Sequence, residues 1–270
     1  MPAGIRMNSV RFPFLFALAL ISLDASARPR LARTGIVPLP SLQRILWIGA
    51  HPDDEAHIAP LLGLECVEGS ATCSMIVMTI GENGWCGLAA GCLPSLGSVR
   101  TVEMQTAAAA LHVTLHQFDL PDVSDDVAGT WARARPALVD EVNAIIDREQ
   151  PTVIITFDPT HGSTCHPAHR AVGALVVELM SHRTASIPLL LVETAAHFDD
   201  SGIHLVPAIE GNVPHPLFAI PDAAKWRSLD MQLHASQFTP SQIASIGAPN
   251  IEFIFSEQLG KVTYVERCEP

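Results

Sequence analysis

The stretch RILWIGAHPDDE, Arg44 to Glu55, passes from an apolar run directly into three carboxylates and an imidazole within five residues. The run at 44–49 has the length of a strand and is rich in apolar side chains without strict alternation, as in a strand covered on both faces. Like charges this close raise one another's pKa and cost free energy unless a cation sits among them. In a chain with only 16% charged residues, the stretch therefore reads as a buried strand whose carboxyl end carries a metal-binding turn.

The same alternation recurs outward from it. Further strands are expected at 74–80, 113–118, 152–157 and 188–193, with helices near 55–64, 98–111, 130–149 and 166–182. Alternating strands and helices build βαβ units, so the expected fold is α/β with a mainly parallel sheet. Beyond Glu193 the pattern weakens. Pro207, Pro214, Pro216 and Pro221 divide the segment, a helix is expected at 222–234 and a late strand at 251–255. Two more polar clusters follow strands: GENGW, Gly81 to Trp85, and DPTHGSTCHPAHR, Asp158 to Arg170. Open α/β sheets bind ligands at that end of the strands.

The N-terminus reads differently. Arg6 and Arg11 precede an apolar segment at 12–23, and Ala25-Ser26-Ala27 places small residues where a signal peptidase cuts. The expectation is a signal peptide at 1–27 and a single domain at 28–270, secreted or periplasmic. The apolar segment is too short for a comfortable bilayer span, so no stable membrane insertion is expected after cleavage. A net charge of −12 argues against a nucleic-acid partner, which would require clustered Lys and Arg. Six cysteines in an exported chain imply disulfides. Cys66 and Cys73 flank a turn-like VEGSAT, Cys86 and Cys92 flank GLAAG, and Cys165 and Cys268 remain as the third pair. There is no C-x-x-C pair for a thiolate metal site, and no G-x-S-x-G, P-loop or G-x-G-x-x-G motif.

Two histidine motifs carry chemistry. His51 and Asp54 stand three apart, as do His166 and His169, and side chains three apart on a helix face the same way. Two histidines and one aspartate suit Zn²⁺ with a fourth position left open. His161 is a further candidate ligand, read as a loop residue. Cys165 is read as a disulfide partner rather than a nucleophile, and Trp85 as packing of its loop or a platform for a sugar ring.

The chain resembles the LmbE-like deacetylases, which include the PIG-L N-acetylglucosaminyl-phosphatidylinositol de-N-acetylases and the deacetylases of the mycothiol and bacillithiol pathways. The resemblance rests on AHPDDE (Ala50 to Glu55), TIGENG (Thr79 to Gly84) with Arg100-x-x-Glu103, HPAHRAVG (His166 to Gly173), and Lys225 with HASQ (His234 to Gln237). It implies a Rossmann-like three-layer sandwich and a zinc ion held by His51, Asp54 and His169. It further implies Asp53 as general base for the attacking water and His166 as stabiliser of the oxyanion, in its charged form. Glu82, Arg100 and Asp122 would contact substrate, and Glu55 would complement the helix start or support the ligands from behind. The substrate class it implies is an N-acetylated amino sugar or glycoconjugate.

One departure stands out. The family commonly has Asp between the two histidines, and this chain has Ala168. This departure favours a second reading, a catalytically inactive carbohydrate-binding protein on the same fold; a third, a zinc amidase for another N-acyl compound, stands because the motifs fix the reaction better than the substrate. No readable pattern fixes an oligomeric state.

Overall fold

Strand β1 (Arg44–Gly49) lies inside a six-stranded sheet and is buried at every residue after Arg44. The structure is a computed structural model that describes residues 43–160, 162–192, 194–199, 202–207, 218–219, 222–246, 251–252 and 254–256. Strands β2 (Thr72–Thr79) and β3 (Val113–Leu120) follow on one side of β1, and β4 (Val153–Phe157) and β5 (Leu189–Val192) on the other, all parallel. After β5 come the antiparallel hairpin β6 (Thr194–Asp199) and β7 (Gly202–Pro207), then β8 (Phe218–Ala219) paired with β9 (Ile251–Glu252). Strand β10 (Ile254–Ser256) runs antiparallel along β5, closing that edge. The expected late strand at 251–255 is thus two short strands serving two sheets.

The strands form because their apolar side chains are removed from water on both faces. Ile45, Leu46, Trp47 and Ile48 of β1, Met75 to Met78 of β2, and Ile154, Ile155 and Phe157 of β4 are all at most 1% exposed. Each such side chain contributes about 1.5–3 kcal/mol of transfer free energy. Trp47 meets Phe157 edge to face at 5.1 Å between ring centres, so β1 and β4 lock together where the strand order reverses.

The helices follow the expected pattern with local differences. The expected helix at 55–64 breaks into a 3-10 turn (Asp54–His57), the short α1 (Ala59–Leu62) and a π turn (Gly63–Val67). Helix α2 (Leu96–Ala110) begins before Ser98, because Ser95 Oγ accepts the Ser98 N–H at 3.2 Å. The stretch read as one helix at 130–149 is two, α3 (Val127–Ala132) and α4 (Arg135–Glu149), with Pro136 in the first turn of the second. A proline has no N–H to continue a preceding helix but suits a first turn.

Helix α5 (Gly162–Cys165) precedes α6 (Pro167–His182). Gly173 lets α6 lie against β4: a Cβ there would fall 2.4 Å from the Phe157 carbonyl oxygen. Helices α7 (Ala223–Leu233) and α8 (Pro240–Ile246) complete the described elements. All described residues belong to one compact unit spanning 31–270.

Two expected disulfides are present, Cys66–Cys73 and Cys86–Cys92, each with Cα atoms 6.0 Å apart. Cys165 is also disulfide-bonded, while Cys268, its expected partner, lies outside the described residues. So do the expected leader at 1–27 and His161. Among the described residues no helix is long and apolar enough to cross a membrane.

Candidate active site

The strand order places β1 between β2 and β4, so connections leaving β1 and β4 diverge and open a crevice at their carboxyl ends. The turn after β1 carries His51 to Glu55, and the segment after β4 carries His166 and His169. Their donor atoms converge. His51 Nδ1 lies 3.6 Å from Asp54 Oδ1 and 3.3 Å from His169 Nε2, and His169 Nε2 lies 2.9 Å from Asp54 Oδ1. Ligand atoms about 2.0–2.1 Å from a tetrahedral ion stand about 3.3 Å from one another. The three atoms are therefore spaced as ligands of one ion.

Their far sides are fixed by other groups. His51 Nε2 faces Asp122 Oδ1 at 3.3 Å, and His169 Nδ1 faces the Gly162 carbonyl at 2.8 Å. The second oxygen of Asp54 accepts the N–H groups of Ala50 and His51 at 2.7 and 2.8 Å. Such partners set ring orientation and tautomer and make a ligand more basic. The Phe157 ring stacks on His169 at 4.1 Å between centres, which holds that imidazole against the core. Burial would raise Asp54, yet His169 and His51 outweigh it and hold its carboxyl well below the usual carboxylate range. Burial would lower His51, yet Asp54 and Asp122 outweigh it and raise it to about 10. The surrounding charge thus favours a cation at this point.

Asp53 sits beside the ligands in an uncommon backbone conformation, φ 105° and ψ −14°. A non-glycine residue held there costs about 1–3 kcal/mol and persists only where its surroundings impose it. Its N–H donates to Glu55 Oε2 at 3.1 Å, and its Oδ2 is 3.0 Å from the Arg100 guanidinium. Burial raises Asp53 above the ordinary range, Arg100 opposes, and Asp54 adds to the rise. A carboxylate shifted upward is a better proton acceptor at neutral pH.

Arg100, expected to contact substrate, is only 4% exposed. It donates to the carbonyls of Gly81, at 3.1 Å, and Pro52 as well as pairing with Asp53. Its charge is spent behind the base. Gly81, with φ 66°, makes room for it, since a Cβ there would lie 2.3 Å from the guanidinium. Asp122, also expected at the substrate, turns one oxygen to His51 and the other to the Asn83 N–H at 3.3 Å. Of the three expected substrate contacts only Glu82 is exposed, and one of its oxygens accepts the Asp122 N–H at 2.8 Å.

His166 caps α6: its Nδ1 accepts the Ala168 N–H at 3.3 Å. A ring nitrogen that accepts carries no proton, so this imidazole is neutral and any N–H it offers is at Nε2. Burial together with the nearby His169 and His51 lowers its pKa to about 4, against the pull of Asp54 and Asp122. Both features oppose the charged form that the resemblance implies, and the causes are burial and the two neighbouring imidazoles. His166 also lies near enough to His51 and His169 that one nitrogen of each falls within 4.8 Å of the others.

Behind the base is a group the sequence reading left unassembled. Glu55, Asp230 and His234 are fully buried, and His234 Nε2 lies 2.6 Å from Glu55 Oε1. The HASQ turn is anchored on Glu103, which accepts from Ser236 N and Oγ at 2.8 and 2.6 Å, and Gln237 reaches the Trp85 carbonyl at 2.9 Å. Arg227, Asp230 and His234 recur at helical spacing along α7, a polar stripe on its buried face. That stripe was the available signal. Lys225, by contrast, pairs with Glu68 at the surface.

A Rossmann-like sheet and a ligand set spaced for one ion at its switch point, beside a buried carboxylate, form a site suited to metal-activated water chemistry. The comparisons with known proteins assign the family. Residues 46–180 match the family described as PIG-L, GlcNAc-PI de-N-acetylase. The chain is 29% identical to the 1D-myo-inositol 2-acetamido-2-deoxy-alpha-D-glucopyranoside deacetylase of Mycolicibacterium vanbaalenii, covering 72% of this chain and 76% of that one. Its fold is similar to that of N,N'-diacetylchitobiose deacetylase from Pyrococcus horikoshii, with TM-score 0.55, 16% identity, and 79% of this chain and 82% of that one covered. It is equally similar to the 4-carboxy-2-hydroxymuconate hydratase of Pseudomonas putida, with TM-score 0.55, 15% identity, and 83% and 99% covered. The chain belongs to the PIG-L family of de-N-acetylases, and with it to the hydrolases of amide C–N bonds.

Proposed function

We propose that the protein is an exported, zinc-dependent deacetylase that removes the acetyl group from the nitrogen of an amino sugar or of a glycoconjugate carrying one. The observation that carries this reading is the spacing of His51 Nδ1, Asp54 Oδ1 and His169 Nε2, 2.9 to 3.6 Å apart, beside Asp53. The sugar is inferred from the names of relatives such as the Mycolicibacterium deacetylase.

His51, Asp54 and His169 would hold the ion, with two neutral imidazoles and one carboxylate suited to Zn²⁺. A divalent ion held there would supply Lewis acidity at neutral pH. Asp53 Oδ2 is engaged by Arg100, and its other oxygen takes the proton of the attacking water. The same carboxyl then returns that proton to the departing amine nitrogen, so the C–N bond breaks to give acetic acid and the amine, which leave as acetate and ammonium at neutral pH. His166 donates Nε2–H to the acyl oxygen as negative charge gathers there, a contact strengthened by the low surrounding dielectric. Glu82, exposed and joined to the Asp122 N–H, would accept from sugar hydroxyls.

Export is supported by the leader-like residues 1–27 and by the Cys66–Cys73 and Cys86–Cys92 bonds, which persist in oxidising compartments. Metal analysis coupled to acetate release, across N-acetylated monosaccharides, peptidoglycan fragments and glycolipids, tests the activity. Chelator-sensitive release with one zinc per chain is expected. Zinc without turnover on any N-acetyl sugar would favour a different N-acyl substrate or a binding role. Mass measurement of the mature chain tests export, and a chain that retains residues 1–27 removes that part.

A further inference from the structure

We propose that His234 is a positioning residue for deacetylation, acting through Glu55 to hold the backbone of Asp53 in the conformation that presents its carboxylate to the metal ligands. The inference rests on the reading of Asp53 as the base.

The argument starts from the backbone. At φ 105°, Asp53 occupies a region that L-residues rarely adopt. Its side chain is held by Arg100, but what holds its amide is Glu55 Oε2, 3.1 Å away. A carboxylate oxygen accepting an N–H is a strong, directional partner only while it stays aimed. Glu55 is 0% exposed, so water does not fix its orientation. His234 does, since its Nε2 meets Glu55 Oε1 at 2.6 Å.

His234 is in turn placed from a distance. It follows α7, its N–H returns to the Asp230 carbonyl at 3.2 Å, and its own carbonyl accepts from Gln237 and Phe238 at 2.8 and 3.1 Å. The next turn is tied to Glu103 through both atoms of Ser236 and to Trp85 through Gln237. The Gly87 N–H closes the same turn on the Ser236 carbonyl at 2.8 Å. Residues that are neither ligand nor base thus determine where Glu55 points.

A second metal site is the competing use of Glu55, Asp230 and His234, whose donor atoms lie within 4.8 Å of one another. The 2.6 Å contact opposes it, because ligands of one ion stand about 3.3 Å apart. A shared proton, not an ion, joins Glu55 to His234. Among the described residues neither oxygen of Asp230 has a hydrogen-bond partner, and burial, with Glu55 beside it, pushes its carboxyl well above the usual range.

The test compares His234→Gln with His234→Asn in the zinc-loaded full chain. Glutamine places an amide N–H near the position of Nε2, while asparagine is too short to reach Glu55. With the N-acetyl amino sugar that the wild type cleaves, His234→Asn is expected to lower kcat about 10- to 100-fold, with KM and bound zinc within about twofold. His234→Gln is expected to stay within about threefold of wild type, and in an Asp53→Asn background the two should not differ. Amide hydrogen exchange at Asp53 gives a readout without substrate, expected to be at least about tenfold faster in His234→Asn than in His234→Gln. Equal kcat and equal exchange in the two variants overturn the inference, as does a loss of the same size in the Asp53→Asn background. A wild type that cleaves no N-acetyl sugar refutes the functional reading, while the exchange arm still decides the positioning.

Discussion

His51 turns Nε2 to Asp122 at 3.3 Å and thereby leaves Nδ1 facing Asp54 and His169. The contact joins the turn after β1 to the loop after β3, so a ligand of the proposed ion is oriented by a strand two places along the sheet. Asp122→Asn keeps the shape and removes the charge. Zinc affinity, measured by competition with a chelator of known affinity, is expected to fall about 10- to 100-fold. An unchanged affinity would show that the orientation of His51 is set elsewhere.

Removing the imidazole of His166 is expected to separate catalysis from metal binding. His166→Ala should lose about 10²- to 10³-fold in kcat, the cost of one oxyanion donor, while its zinc content stays near one per chain. His169→Ala should lose the metal. Zinc loss in the first variant and retention in the second would mean that the two histidines exchange roles.

Asp53→Asn cannot accept a proton and should lower kcat by about 10²- to 10⁴-fold. Zinc and KM are expected to hold, because the amide can still face Arg100. A kcat within a few-fold of wild type would remove Asp53 as the base.

The Glu55–His234 pair predicts a pH dependence of stability. Burial opposes charge on His234, but Glu55, with Asp230 and Asp53, raises it from 6.5 to about 9. A raised folded-state pKa gives stability that is complete below about pH 6.5 and is lost as pH climbs through about 9. The contribution is on the order of 3 kcal/mol. Urea unfolding of wild type and His234→Gln at pH 6 and pH 10 should show a gap that narrows at the higher pH. A gap independent of pH would mean the pair is not ionised.

Gly173→Ala places a Cβ 2.4 Å from the Phe157 carbonyl oxygen, forcing α6 away from β4. Overpacking of this kind costs about 1–3 kcal/mol. Because His169 rides on the same helix, zinc affinity should fall along with urea stability. A variant as stable as wild type with full affinity would show that the helix has room to shift.

The parallel strands were legible because each is a short apolar run bounded by polar turns. The ligands and base were legible because AHPDDE and HPAHRAVG are local. Element ends were less so. Helix α2 starts at Leu96 on a Ser95 cap rather than at 98, and Pro136 divides what reads as one helix, because a cap depends on one hydrogen bond that periodicity does not encode. Arg100 and Asp122 were readable as residues of the site but not as its support, since which way a long side chain turns depends on what surrounds it.

The sequence by itself determined the βαβ alternation, the charged turn that needs a cation and the ligand types that would hold one, since each follows from side chains within a few residues of one another. Only the tertiary structure decided that Arg100 backs Asp53, that Asp122 orients His51 and that His234 reaches Glu55 across 179 positions of chain. Those pairings are set by the sheet order and by helices packed over it, which fix distances between residues that no local spacing relates.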